Sequence, residues 1–111
     1  MSPSSRAKLA LSRDLKMERS IDASVNSLYS ALIKAFTQVI LNSMLDFLGS
    51  VIEREDEPKE EDLAKFESLF RSDLSKAQPK DIVGVYKVLH LKVELKKCKD
   101  RIKESMAAIK V

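Results

Sequence analysis

With one histidine and one cysteine in 111 residues, acid–base or nucleophilic chemistry would have to run through His90 or Cys98. A general base needs a partner that orients it, and His90 has only Glu94 within one helical turn, with Tyr86 on the other side. That pattern predicts a histidine at a bundle edge. Cys98 falls at an inward-facing position of a helical repeat, where a thiol serves as a small apolar core residue; were it exposed, Lys97, Lys99 and Arg101 would lower its pKa. The acids of residues 53–62 lack the glycine-containing pattern of a calcium loop and are expected to form a solvated helix entrance. No glycine-rich phosphate loop, zinc-ligand spacing or paired-carboxylate motif occurs. The expectation is a protein that is not an enzyme, with no catalytic, cofactor-binding or metal-ligating residues and no small-molecule substrate.

One further group of residues could engage a ligand electrostatically. Lys92, Lys96, Lys99 and Lys103 recur along one face of a helix, as phosphate-contacting lysines do. Arginines or aromatics for base readout or stacking do not interleave with them, so an acidic partner helix or plain solvation accounts for the stripe equally well. Nucleic acid is the alternative partner on this reading.

The elements that carry these residues are helices. A charged fraction of 33% beside a hydrophobic fraction of 44%, with two Gly and three Pro, leaves little punctuation for strands. Residues 25–52 hold the strongest pattern: Val25, Leu28, Leu32, Phe36, Val39, Met44, Phe47, Leu48 and Val51 recur at threes and fours, and Leu41 and Leu45 widen the apolar surface. Such a helix needs cover on more than one side, and the chain is expected to be organised around it. Upstream, residues 1–5 are expected to fray, and Ala7, Leu11 and Leu15 mark an amphipathic helix from Arg6. Ser20, Asp22 and Ser24 could each cap a new helix, so residues 6–54 read as two helices or as one long bent one. Gly49 reads as a site of close packing or a local bend, and Gly84 as a close helix contact.

Pro58 closes the second segment, and Glu60, Glu61 and Asp62 suit the positive start of the next helix. There Leu63, Phe66, Phe70, Leu74 and Ala77 form one stripe. Pro79 opens the last helix, whose first part, Ile82, Val85, Tyr86, Leu89 and Val93, faces a bundle. Farther on, Val88, Leu91, Leu95, Cys98, Ile102, Ser105 and Ile109 alternate spacings of four and three, the register of a coiled coil. A seam that runs to the last residues reads as the start of a longer rod or as a short dimerisation helix. Met17, Met44 and Met106 are expected as core fillers.

Charge is segregated, −5 over residues 53–62 against +5 over residues 79–111. This favours selective pairing with a partner more than it argues for nucleic acid. The longest apolar run is far below the roughly 20 residues of a membrane span. With a lone cysteine and no secretory pattern at the start, the expected location is intracellular, nuclear or cytoplasmic.

The stretch from Leu28-Tyr29 through Phe47-Leu48, the acidic residues 53–62, and the Leu63, Phe66, Phe70 stripe resemble Nnf1-type subunits of the Mis12 kinetochore complex. The resemblance implies a structural subunit that pairs with another helical chain in a chromosome-segregation assembly. The sequence thus predicts an all-α protein, a small bundle or hairpin of three to four helices: a head over residues 6–93 and a coiled-coil segment over residues 88–111. The expected function is that of a helical assembly subunit, homo- or hetero-oligomeric, offering Val88, Leu91, Leu95, Cys98, Ile102 and Ile109 to a partner. A basic nucleic-acid module is one alternative. A self-contained adaptor, in which the last helix folds back along residues 6–21, is another.

Overall fold

The Ser2 hydroxyl accepts a hydrogen bond from the Ser5 N–H at 3.1 Å, and this cap starts helix α1 (Pro3–Leu32). Pro3 occupies the first turn, where its missing N–H would have had no partner. The computed structural model describes residues 2–110. Residues 3–5, expected to fray, are helical in this structure; Met1 lies outside the described residues.

Residues 6–54 form two helices, but the break does not fall at residues 20–24. Helix α1 runs straight through Ser20, Asp22 and Ser24, because Ile21 among them is buried and continues the apolar stripe. The break falls at residues 33–37, inside the segment expected to be one helix. Phe36 turns into the core there, 5% exposed, while its N–H bonds the Leu32 carbonyl at 2.9 Å. Thr37 then caps helix α2 (Gln38–Glu55), its Oγ1 accepting from the Ile40 N–H at 3.2 Å. Across the turn the Tyr29 hydroxyl donates to Asn42 Oδ1 at 3.1 Å.

The residues after Pro58 form two short helices, α3 (Glu60–Leu69) and α4 (Arg71–Lys76), where one was expected. Their hinge is Phe70, at φ −110° and ψ 22°, whose ring packs 5.1 Å from that of Phe66. The Asp62 carboxylate accepts the Lys59 N–H at 3.0 Å and fixes the start of α3.

Helix α5 (Pro79–Lys110) lies antiparallel to α1 along most of its length. Gly84 meets Leu32 near one end, and Cys98 and Arg101 meet Asp14 toward the other. The described fold is all-α. Its core gathers Leu32, Phe36, Leu41, Met44, Leu48, Ile52, Phe66, Phe70, Val85, Val88, Leu89 and Val93. Burying each large side chain contributes on the order of 1.5–3 kcal/mol relative to exposure.

The molecule is 55 × 27 × 20 Å, and its length is that of the two long helices. Helices α2, α3 and α4 cover only the half of the hairpin nearest the α1–α2 turn. The last turn of α2 reaches Lys96, whose ammonium donates to the carbonyls of Ile52 at 3.0 Å and Glu53 at 3.3 Å. Beyond that point α1 and α5 continue as a two-helix stalk.

Candidate partner-binding surface

The heptad-spaced residues of α5 lie against α1. Val88, Cys98 and Ile102 are buried, and Leu91, Leu95 and Ile109 are partly buried. They face an α1 stripe of the same spacing: Ala7, Leu11, Asp14, Glu18, Ile21, Val25, Leu28 and Leu32. Three of the residues expected to meet a partner are therefore closed inside the chain, because α1 carries a complementary stripe whose polar members hid its extent.

Two of those members, Asp14 and Glu18, break the apolar run on α1. The Asp14 carboxylate receives Arg101 Nε at 3.2 Å, and its backbone carbonyl accepts the Cys98 thiol at 3.1 Å. Burial pushes the Cys98 thiol above its ordinary pKa, the Asp14 charge adds to this, and Arg101 opposes it. The thiolate activation by Lys97, Lys99 and Arg101 that an exposed cysteine would show is thus reversed in sign. His90 is exposed, beside a shallow apolar depression lined by Leu28, Val83, Tyr86, Lys87 and Leu91.

The lysine stripe divides into two uses. Lys96 closes the C-terminus of α2, adding the Asp56 carboxylate to its two carbonyl partners, and Lys97 meets Glu57 at 3.3 Å. A positive charge at a helix C-terminus complements the partial negative charge there. The acidic stretch expected to be a solvated entrance is thus partly clasped to α5. Lys92, Lys99 and Lys103 make no ion pair among the described residues and line a cleft with Gly49, Ile52, Glu53, Leu95 and Asp100.

Glu55 and Asp62 form a carboxyl pair across the α2–α3 junction. The hydrogen bond between them raises the Glu55 pKa, with desolvation and the Asp62 charge adding; it lowers that of Asp62, helped by the Lys59 N–H. Divergent carboxyls of this kind can serve as acid and base. Here they join two helices, and no group of three or more His, Cys, Asp or Glu residues able to hold a metal occurs among the described residues.

Sequence reasoning missed the uncovered flanks of the stalk. Leu9, Leu15, Met17 and Met106 are exposed, and of these Met17 and Met106 had been expected in the core. Their signal lay in the register: each falls beside the inward stripe or opposite it. Among the described residues no helix is long and apolar enough to cross a membrane. No protein-family model matches the sequence, and comparison with curated proteins and with solved structures likewise gives no match.

Proposed function

We propose that this chain is a non-enzymatic helical assembly subunit whose stalk pairs with helices of a partner. The observation that carries the reading is the uneven distribution of exposed apolar side chains. Leu9, Leu15, Met17 and Met106 lie on the stalk, so among the described residues four of the seven exposed large hydrophobic side chains fall where only two helices are present. Scattered exposed leucines are ordinary; Leu15 and Met106, which share one flank of a bare two-helix segment, fit a surface completed by another chain.

The finer architecture belongs to the same reading. The α1–α5 seam is an intramolecular antiparallel coiled coil, and the head is a four-helix arrangement in which α3 and α4 count as one bent helix. The partner therefore meets the flanks of the seam, with Leu91, Leu95 and Ile109 at its partly exposed edge. A subunit of a chromosome-segregation assembly is the setting that the Nnf1-type resemblance supplies, and a head with a protruding helical rod suits it.

Size fractionation of the tagged full chain in native extract tests the proposal. The chain is expected to run well above its 12.5 kDa monomer mass. Migration as a free monomer throughout would overturn the assembly role.

A further inference from the structure

We propose that the groove between α1 and α5 beyond the end of α2 binds an acidic amphipathic helix of a second protein, laid in line with α2. This inference rests on the assembly role and names the chemistry of the partner. In the head, α2 covers the side of the hairpin that presents Tyr29 on α1 and Val85 and Leu89 on α5. Tyr29 bonds Asn42, and both α5 residues are buried in one core cluster with Leu41, Met44, Leu48 and Ile52.

A step of seven residues returns a helix to within about 20° of the same face, and the gentle winding of paired helices takes up the difference. Counting along α1 from Tyr29 leads through Asp22 to Leu15 and Lys8. Counting along α5 from Val85 leads through Lys92 to Lys99 and Met106, and from Leu89 through Lys96 to Lys103 and Lys110. The track that α2 occupies in the head therefore continues past Glu55 with Leu15 and Met106, 40% and 46% exposed. Lys8, Lys99, Lys103 and Lys110 flank them.

The acids gather at the head end of this track, where Asp56 pairs with Lys96 and Glu57 with Lys97, so the acidic helix meets the groove beyond them. Asp100 and Glu53 line the cleft where α2 ends, and Asp22 lies under the head side of the groove. A track in which Leu15 and Met106 alternate with Lys8 and Lys99 is complementary to a helix with apolar side chains flanked by glutamate or aspartate. A second copy of this chain would set lysines against lysines. Nucleic acid would leave Leu15 and Met106 without a partner and would find no aromatic stacking platform.

Fluorescence anisotropy with the full chain tests the groove. The probe is a labelled synthetic helix of about three heptads, with leucine at its inward positions and glutamate elsewhere. Comparison probes carry glutamine in place of glutamate, or are a short DNA duplex. The acidic helix is expected to bind, and Leu15→Asp with Met106→Asp, or Lys99→Glu with Lys103→Glu, to weaken it by about tenfold or more. Lys16→Glu with Lys87→Glu makes the same charge change away from the groove and leaves binding unaltered. The substituted side chains are all exposed or at the surface, and unchanged circular dichroism confirms the fold of each variant.

Absence of binding overturns the proposal, as does equal affinity for the glutamine helix or equal loss in the Lys16 and Lys87 variant. Binding of the duplex in place of the acidic helix assigns the groove to nucleic acid. A concentration-dependent dimer in sedimentation equilibrium, dissolved by Leu15→Asp with Met106→Asp, assigns it to a second copy. If the acidic helix fails while the chain still runs large in native extract, the groove is wrong and the assembly role stands.

Discussion

A Cβ placed on Gly84 would sit 2.9 Å from Leu32 Cδ2, so any larger residue there requires the Leu32 side chain to shift. Leu32 is 2% exposed, so a larger residue at position 84 displaces a core side chain. Gly84→Val is therefore expected to destabilise the fold by about 1–3 kcal/mol through overpacking, read from urea denaturation. Gly49 is the control. Nothing lies within 4 Å of its ideal Cβ, so Gly49→Ala should stabilise the protein by about 0.5–1 kcal/mol through helix propensity alone. A loss on Gly49→Ala would contradict the open space seen there.

The two glycines show what was legible in the sequence and what was not. Both look alike as helix interruptions, yet one lies at a helix crossing and the other faces open space; that distinction depends on tertiary partners. Likewise Thr37 is a plain N-cap residue, but nothing local forces the chain to turn there. The reversal comes from Phe36 reaching the core. The all-α class and the inward positions of α5 were legible because period and spacing are local properties. The helix that covers them entered only as one alternative, the fold-back along residues 6–21, because Asp14 and Glu18 interrupt the matching stripe. The uncovered groove followed only once the end of α2 was located beside Lys96.

Cys98 provides a direct probe of the α1–α5 contact. It is fully buried and its pKa is raised, so both access and thiolate fraction are low in the native state. A disulfide-exchange reagent is expected to react with it only as fast as the stalk opens. Asp14→Ala, which removes the carboxylate that holds Arg101, should destabilise the stalk by about 1 kcal/mol and speed that reaction severalfold. A native rate equal to that of the unfolded chain would show that Cys98 is not enclosed.

Tyr86 donates to Glu67 Oε1 at 2.7 Å, and its pKa is pushed up to about 12 by burial first, then by the hydrogen bond and charge of Glu67. A raised value means that the folded state favours the neutral phenol. Its contribution to stability is fully present below pH 10 and is lost as pH rises through about 12. Tyr86→Phe should lower stability at pH 7 by about 1 kcal/mol and flatten the alkaline limb of the stability profile. An unaltered alkaline limb would separate Tyr86 from that loss.

Glu55 holds a buried carboxylate oxygen, Oε2, without a hydrogen-bond partner among the described residues, beside the Asp62 charge. Its raised pKa favours the protonated form on folding. This contribution is present below the ordinary value of 4.5 and is lost as pH rises through the raised one. Asp62 acts oppositely: its depressed pKa contributes stability above its ordinary value, which is lost as pH falls through the depressed one. Glu55→Gln keeps the shape and can donate to Asp62 at every pH. Its thermal midpoint should exceed that of the native chain at pH 7, with the gap closing as pH falls toward 4.5. A gap that widened on acidification would reverse the assigned sign.

The division between head and stalk predicts where a buried charge does its damage. Ile102 is 9% exposed against α1, and Leu95 is partly buried one heptad nearer the head. Leu95→Asp with Ile102→Asp places two carboxylates on the seam with no cation assigned to them, a loss on the order of 3 kcal/mol or more. The core around Phe66, Met44 and Val85 lies away from those positions. Native-state hydrogen exchange should therefore show residues 3–20 and 98–110 losing protection while α2 and the first half of α5 retain it. Uniform loss of protection would mean that stalk and head unfold as one unit and that the stalk is integral to the core.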